Sequence, residues 1–182
     1  MNLFIGCSCE EKIDKNIIKK SKELIKEIAS INNIDLVYSN CIDGLGGVCY
    51  EEFRKNNKKI IGVQVDKCRD LQDQAYSDKE IIVKNGIDRF KNIYDNSDIS
   101  LILPGGLGTI SEIFNLIEEY RIDDKKRIII YNLDGYYNDL IRIMDNLYDT
   151  HFASVKISDC IDIVNSKKEV INIIKEELWW MI

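Results

Sequence analysis

The stretch LILPGGLGTISEIF, Leu101 to Phe114, contains the only proline of the chain and three of its ten glycines. An apolar run precedes Pro104, and a helical pattern follows Thr109. Proline fixes its own φ and keeps the preceding residue extended, which suits the end of a strand. Glycines permit a sharp turn and let backbone N–H groups approach a ligand. The stretch therefore predicts a buried strand, a turn and a helix N-terminus that binds an anion, most plausibly phosphate. A plain strand-to-helix turn is the alternative.

Outward from this turn, short apolar runs alternate with longer amphipathic stretches along the chain. This alternation predicts βαβ units, and hence a Rossmann-like α/β fold: a doubly wound, mainly parallel sheet with helices on both faces. We expect a single nucleotide-binding domain over residues 1–182, with ligands at the carboxyl ends of the strands. The predicted strands are Leu3–Ile5, Asp35–Tyr38, Lys59–Val65, Ile99–Leu103, Arg127–Tyr131 and Ile161–Val164. The predicted helices lie near Lys15–Ala29, Val48–Lys55, Asp78–Tyr94, Ile110–Tyr120, Tyr137–Leu147 and Lys167–Leu178, and the polar region Asp66–Tyr76 is predicted to be a loop over the site.

The composition restricts the class of protein and its partners. The 182 residues carry a formal net charge of -6, with a pI of about 5.0, which disfavours a nucleic-acid surface. No apolar segment approaches the ~20 residues that span a bilayer, and the N-terminus lacks the basic start and apolar core of a secretory signal. We therefore expect a cytoplasmic protein that binds neither nucleic acid nor membrane.

The cysteines and the single histidine argue against a metal site. None of the cysteines forms a C-x-x-C pair, and His151 lies far from the early cysteines in sequence, so no zinc site is expected. The same scarcity of histidine disfavours Ser-His and Cys-His nucleophilic systems. Reduced, mostly buried thiols are expected, although Cys7 and Cys9 lie where they can reach a ligand. The six positions are Cys7, Cys9, Cys41, Cys49, Cys68 and Cys160.

Glu112 has two interpretations. Thr109-x-x-Glu112 fits a capping box, in which the glutamate bonds back to the first amides of its own helix. The chain contains two further sequences of this kind, Ser77-x-x-Glu80 and Ser166-x-x-Glu169. Spacing alone favours a helix cap over a catalytic carboxylate.

A family resemblance favours the catalytic interpretation. LPGGLGTISE resembles the PGGxGTxxE signature of the Lonely Guy family of phosphoribohydrolases, which release the base from nucleoside 5′-monophosphates. The segment Tyr131 to Asp145, YNLDGYYNDLIRIMD, is similar to the N-x-x-G-Y-Y segment of that family, and FIGCS is similar to its C-G-S-S loop. Such sequences are often labelled lysine decarboxylases, but the motif indicates no pyridoxal-phosphate chemistry.

The resemblance implies a set of site residues. The catalytic pair would be Arg89 and Glu112, with no metal and no organic cofactor. For Arg89 the alternative is a surface arginine paired with a neighbour such as Asp88 or Asp95. Family members are commonly dimers, so a homodimer is implied. The implied substrate-binding residues are Gly6, Ser8, Gly44, Gly105, Gly106, Gly108 and Thr109.

The chain departs from the family in its second glycine-rich loop. Where the family has Y-G-G-G-x-x-G-L-M-G, this chain has YSNCIDGLGG, in which Ser39, Asn40 and Cys41 replace three glycines. Bulkier residues there are expected to narrow or reshape the pocket beside the phosphate and ribose. Around Arg89 the family's M-H-x-R-K motif is also changed: Gly86, Ile87 and Phe90 stand in place of its methionine, histidine and lysine.

Three functions remain open. The first is hydrolysis of the N-glycosidic bond of a nucleoside 5′-monophosphate, which releases free base and ribose 5-phosphate. The second is a non-catalytic carrier or sensor of the same fold, which the altered loop favours and the retained Arg89 and Glu112 oppose. The third, transfer of a base or deoxyribose between nucleosides, would leave the phosphate-binding turn without a role.

The C-terminal segment LWWMI, Leu178 to Ile182, places two tryptophans side by side at the end of a helix. Neighbouring helical residues point about 100° apart, so one ring can pack inward while the other faces a partner. Packing of both rings against the core is the alternative.

Overall fold

A single parallel sheet organises the chain. The computed structural model describes residues 1–68, 76–122 and 126–181. The strands are β1 (Asn2–Gly6), β2 (Asp35–Tyr38), β3 (Ile60–Val65), β4 (Lys79–Val83), β5 (Ile99–Ile102), β6 (Ile128–Tyr131) and β7 (Asp162–Val164). The helices are α1 (Lys15–Ser30), α2 (Gly44–Lys55), α3 (Gly86–Asp95), α4 (Leu107–Ile122), α5 (Asn138–Asp149), the short α6 (Ile157–Cys160) and α7 (Lys167–Trp180).

The strand order is β4-β3-β2-β1-β5-β6-β7, and every neighbouring pair is parallel. The chain moves outward from β1 to β4, returns to pair β5 with β1, and then moves outward on the other side. In an open parallel sheet, ligands bind in the crevice where the order reverses, at the carboxyl ends of the strands. Here that point lies between β1 and β5, which confirms the predicted Rossmann-like fold and locates its crevice beside Pro104.

Two apolar cores cover the two faces of the sheet. Side chains alternate between faces along a strand, so Leu3 and Ile5 of β1 belong to one core and Phe4 belongs to the other. Helices α1, α2 and α7 contribute to the first core, and α3, α4, α5 and α6 contribute to the second. The central strands are buried on both faces, which explains their near-continuous apolar sequences.

The predicted helix Asp78–Tyr94 is wrong in its first half. Lys79–Val83 is the edge strand β4, paired only with β3, and α3 does not begin until Gly86. The residues of β4 are exposed or only half-buried, because a strand at the edge of the sheet carries polar residues and lacks a clear alternation. The capping box predicted at Ser77 is therefore wrong, since Ser77 precedes a strand and donates a hydrogen bond to Asn40 Oδ1 at 2.6 Å.

Other helix boundaries also differ from the prediction. Helices α2 and α4 begin earlier than expected, because the glycines that precede each apolar pattern form the first helical turn. The capping box at Ser166 and Glu169 is confirmed, with both of its hydrogen bonds present. Of the predicted loop Asp66–Tyr76, residues 66–68 form a short 3-10 turn, and residues 69–75 lie outside the described part of the chain.

Both tryptophans at the end of α7 are exposed, so both predicted arrangements are wrong for this chain. Trp179 is 69% and Trp180 is 76% exposed, and the two rings contact each other edge to face with their centres 4.9 Å apart. The reason is that α7 buries an earlier face, formed by Val170, Ile171 and Ile174. Among the described residues, no helix is both long and apolar enough to cross a bilayer.

Candidate functional site

A cleft of about 620 Å³ opens at the carboxyl ends of β1, β3 and β5. Its walls come from the segment after β1, the end of β3, the start of α3 and the first turns of α4. Six of the nine residues predicted for the site line it: Ser8, Arg89, Gly106, Gly108, Thr109 and Glu112. The other three, Gly6, Gly44 and Gly105, support it from behind.

The turn between β5 and α4 presents free backbone amides to the cleft. The first helical hydrogen bond runs from the Ile110 amide to the Gly106 carbonyl at 3.0 Å. The amides of Leu107, Gly108 and Thr109 precede that bond, so they have no carbonyl partner within the helix. These N–H groups and the positive end of the helix dipole favour an anion at this position. The anion-binding turn predicted from the sequence therefore has the required geometry.

The presence of glycine in this turn has two different physical explanations, one for Gly105 and one for Gly106 and Gly108. A Cβ on Gly105 would lie 2.1 Å from Thr109 Oγ1, so the fold itself requires glycine there. At Gly106 and Gly108, a Cβ would have no described atom within 4 Å, and neither residue has a positive φ. Since neither packing nor backbone conformation requires glycine at those two positions, their small size instead keeps the cleft open beside the free amides.

Two tyrosines fix the position of this turn. Tyr137 Oη donates to the Leu103 carbonyl at 2.7 Å, and Tyr136 Oη donates to the Gly105 carbonyl at 3.0 Å. Tyr137 is itself held by Asn132, whose Oδ1 accepts from the Tyr137 amide at 2.8 Å. The N-x-x-G-Y-Y segment thus holds the turn from behind. The sequence resemblance identified this segment but did not indicate its role.

Glu112 and Arg89 form an ion pair inside the cleft. Arg89 Nη2 donates to Glu112 Oε1 at 2.8 Å, and the side chains are 26% and 6% exposed respectively. Glu112 lies one turn into α4, and its Oε2 faces the end of β1, 3.0 Å from where a Cβ on Gly6 would lie. Gly6 therefore makes room for this carboxylate. Because Glu112 bonds Arg89, the capping-box interpretation of Glu112 is wrong.

The alternative for Arg89, a surface pair with Asp88 or Asp95, is also wrong. Asp95 pairs with Lys91 at 2.9 Å, and Asp88 Oδ2 accepts from Asn85 at 2.9 Å. The family resemblance had implied that Arg89 and Glu112 act as a pair. The two residues lie 23 positions apart in sequence, so no rule based on local spacing could have paired them. The structure brings the two side chains together because α3 and α4 lie on the same face of the sheet.

Burial sets the protonation of Glu112. It raises the pKa of Glu112 from 4.5 to about 6, although the positive charge of Arg89 acts in the opposite direction. The side chain is therefore mainly a carboxylate at neutral pH, yet it takes up a proton readily. A strongly perturbed acid paired with a basic group in a cleft is typical of functional sites.

The loop after β2 holds an asparagine in a backbone conformation that is typical of glycine. Asn40 has a positive φ of 58°, a conformation that glycine adopts freely and that asparagine tolerates best among other residues. Its side chain is buried, accepting from Ser77 and donating to Glu80 Oε1 at 3.1 Å. Gly44 also has a positive φ, of 54°, and packs against the backbone of the segment after β1.

A disulfide joins two loops beside the cleft. Cys9 and Cys41 are bonded, with an S–S distance of 2.19 Å, so the expectation of reduced thiols is wrong for this pair. No sequence pattern indicated this bond, because it spans 32 positions and the fold alone brings the loops together. Cys7 lines the cleft as a free thiol, and its hydrogen bond with Cys49, together with burial, keeps the pKa of Cys7 well above its ordinary value. Cys7 is thus a neutral thiol and a poor nucleophile at neutral pH.

Comparison with known protein families agrees with this geometry. The family model described as "Possible lysine decarboxylase" matches residues 47–174, which include the glycine-rich turn after β5 and the Arg89–Glu112 pair. The chain belongs to this family. The match includes the tyrosines that hold the turn but begins after the loop in which glycines are replaced.

Curated relatives in plants carry names that agree with the resemblance. A protein of Oryza sativa subsp. japonica, named "Probable cytokinin riboside 5'-monophosphate phosphoribohydrolase", is 28% identical over 93% of this chain. A cytokinin riboside 5'-monophosphate phosphoribohydrolase of Arabidopsis thaliana is 28% identical over 80% of it. The matched segments cover 68% and 69% of those two proteins, so the plant chains are longer.

Solved structures share the fold of this chain. The molybdenum cofactor carrier protein of Chlamydomonas reinhardtii superposes with a TM-score of 0.71 at 16% identity, over 97% of each chain. The molybdenum cofactor binding protein of Rippkaea orientalis gives a TM-score of 0.68 at 20% identity, over 97% of this chain and 96% of that one. At these identities the likeness shows the fold alone.

Proposed function

We propose that this protein hydrolyses the N-glycosidic bond of a nucleoside 5′-monophosphate and releases free base and ribose 5-phosphate. The observation that carries the proposal is the ion pair of Arg89 with the buried Glu112, which lies one helical turn beyond a helix N-terminus suited to an anion. The names of the plant relatives in the same family support the reaction class.

The proposed phosphate position is the turn Gly105–Thr109. The free amides of Leu107, Gly108 and Thr109 would bind the phosphate oxygens, and the open space at Gly106 would admit them. No basic side chain is needed there, which suits a chain of net charge -6. Glu112 follows Gly108 by four positions, about 6 Å along the helix axis, so Glu112 would lie beside the sugar of a nucleotide anchored at the turn.

The proposed chemistry adds water across the bond between C1′ and the base nitrogen. The hydroxyl ends on C1′ and the proton ends on the departing base. Positive charge builds on the ribose as the bond breaks, and the Glu112 carboxylate would stabilise it and accept the proton of the attacking water. Arg89 would hold this carboxylate in place and assist departure of the base. Neither a metal nor an organic cofactor has a role in this scheme.

The test is base release by the purified protein from purine and pyrimidine nucleoside 5′-monophosphates. The matched variants are Glu112→Gln, which keeps the size of the side chain, and Glu118→Gln, on the exposed side of the same helix. The proposal requires release by the wild type and by Glu118→Gln, and a large loss in Glu112→Gln. Equal release by all three would contradict the role given to Glu112.

A non-catalytic carrier or sensor is the second candidate. The loop after β2 favours it, because Asn40 and the bonded Cys41 stand where the resemblance places glycines. Such a protein would bind nucleotide at the same turn without cleaving it. Calorimetric binding of a nucleoside monophosphate, with no free base after prolonged incubation, would favour this candidate over the hydrolase.

We further propose that the chain forms a homodimer through α4 and α5. A second cavity, of about 490 Å³, lies between these helices, and exposed apolar side chains surround it. Phe114, Leu147 and Phe152 are 43%, 39% and 86% exposed, which is unusual for neighbouring large apolar residues. Light scattering should give the mass of two chains, and Phe114→Lys should reduce it to that of one.

A cytoplasmic location is also part of the proposal. The free thiols Cys7, Cys49, Cys68 and Cys160 suit a reducing compartment, whereas the Cys9–Cys41 bond does not. Fractionation of the source cells, with the thiols alkylated at lysis, would show the compartment and the oxidation state of this pair together.

A further inference from the structure

The inference concerns Gln64, a polar side chain at the end of β3. Gln64 lines the cleft and is only 2% exposed. Its Nε2 lies 3.5 Å from the Cys68 carbonyl, but its Oε1 is buried without a hydrogen-bond partner among the described residues. Among the described residues, the only other buried side-chain atom without a hydrogen-bond partner is Ser21 Oγ, which lies on α1 and does not line the cleft.

A buried acceptor without a partner destabilises a folded protein, because it has lost its water and gained no replacement. Most buried positions of the sheet avoid this cost with apolar side chains, as at Ile60 and Val63 of the same strand. The Nε2 contact with the Cys68 carbonyl, at 3.5 Å, favours this orientation of the amide, since turning it would place two acceptors against each other. Gln64 therefore keeps an acceptor available at the cleft wall.

The position of Gln64 matches one end of the proposed substrate. The anion-binding turn follows β5, and the sheet order from there is β5, β1, β2 and β3. Three strand spacings of about 4.8 Å separate the two ends of the cleft, about 14 Å in all. With the phosphate at the turn and the sugar beside Glu112, the group nearest β3 is the base.

We propose that Gln64 determines specificity by accepting a hydrogen bond from an exocyclic amino group of the base. The substrate class is then nucleotides whose base carries an exocyclic amino group, in preference to those with an oxo group at the same position. Two oxygens facing each other repel, whereas an amino group supplies the donor that Oε1 lacks. This inference rests on the proposed binding of a nucleoside 5′-monophosphate in the cleft.

The test compares pairs of nucleotides that differ at this exocyclic group and at the proton on the ring nitrogen beside it: adenosine with inosine 5′-monophosphate, and cytidine with uridine 5′-monophosphate. Dissociation constants are measured by calorimetry on Glu112→Gln, in which cleavage is expected to be slower by about 100-fold or more. The amino member of each pair should bind about 5- to 150-fold more tightly than the oxo member. Adding Gln64→Met, of similar size without an acceptor, should bring the ratio close to one.

Two controls separate recognition from a structural role. Ser21→Ala removes the other unpartnered buried atom and should leave the amino-to-oxo ratio unchanged. Gln64→Met should unfold at the same or a higher temperature than its parent, because it removes an unsatisfied acceptor. A lower melting temperature with an unchanged ratio would assign Gln64 to the fold and overturn the proposal, as would equal binding of the amino and oxo nucleotides by the parent.

Failure of the proposed hydrolysis is distinguishable from failure of this inference. If the wild type releases no base but the amino preference is present and depends on Gln64, the recognition role stands without the reaction. If base is released at equal rates from amino and oxo nucleotides, the reaction stands and the role of Gln64 is refuted.

Discussion

Replacing Glu112 by glutamine should stabilise the protein at neutral pH. The pKa of Glu112 is raised from its ordinary 4.5 to about 6 because burial outweighs the attraction of Arg89. That difference corresponds to about 2 kcal/mol by which the charged side chain destabilises the folded state at pH 7. Glutamine fills the same space without a charge. Arg89 is 26% exposed and retains contact with water when its partner is removed, so the loss of the ion pair offsets little of the gain.

The pH dependence follows from the direction of the shift. The folded state binds the Glu112 proton more tightly than the unfolded state does. Below about pH 4.5 the side chain is protonated in both states, and its burial then costs no free energy of unfolding through ionisation. Stability is lost as the pH rises from about 4.5 to about 6, and the loss is complete above that range. Glu112→Gln removes this loss, so the variant and the wild type should differ by up to about 2 kcal/mol at pH 7 and by little at pH 4.5.

The assay is thermal unfolding of the wild type, Glu112→Gln and the exposed control Glu118→Gln at both pH values. The first variant should melt about 4–8 °C above the wild type at pH 7, and the control should stay within about 1 °C. A melting temperature for Glu112→Gln below that of the wild type at pH 7 would refute the reasoning. It would show that the bond to Arg89 outweighs the cost of burying the carboxylate.

Three further predictions concern the turn and the disulfide. Gly106→Ala should change the free energy of unfolding, measured in urea, by less than about 1 kcal/mol, while it weakens inhibition by inorganic phosphate. Gly105→Ala should lower the free energy of unfolding by about 1–3 kcal/mol, because the added Cβ would overlap the side chain of Thr109. Tyr137→Phe leaves a buried carbonyl of the turn unpaired and should cost about 1–3 kcal/mol, with a higher KM for nucleotide; an unchanged KM would mean that the turn does not need this bond. Reduction of Cys9–Cys41, which closes a loop of 32 positions, should lower the free energy of unfolding by about 3–4 kcal/mol, and Cys41→Ser should abolish the response to reductant.

The sequence predicted the elements whose signals are local. Pro104 and the glycines after it indicated the turn, and the alternation of apolar runs indicated the parallel sheet, both of which the structure confirms. The edge strand β4 was not predicted, because its residues are mostly exposed to solvent and show no clear alternation of apolar and polar residues. The start of α4 was placed three residues late, at Ile110 instead of Leu107, because the glycines of its first turn favour a loop when read alone.

The site depends on contacts between segments far apart in sequence, which no single-sequence pattern encodes. The pairing of Arg89 with Glu112 came from the family resemblance, and spacing alone favoured a surface arginine and a helix cap. The disulfide between Cys9 and Cys41 could not be foreseen, since the fold alone brings the two loops together. The unsatisfied acceptor of Gln64 could not be foreseen either, because the sequence shows a polar residue in a strand but not its missing partner.

Release of free base from nucleoside 5′-monophosphates tests the central claim most directly. The panel should include purine, pyrimidine and N6-substituted adenine nucleotides, with free base and ribose 5-phosphate measured together. The account predicts release by the wild type and by Glu118→Gln, and a loss of about 100-fold or more in Glu112→Gln. Full activity in Glu112→Gln, or nucleotide binding with no release by the wild type, would contradict it.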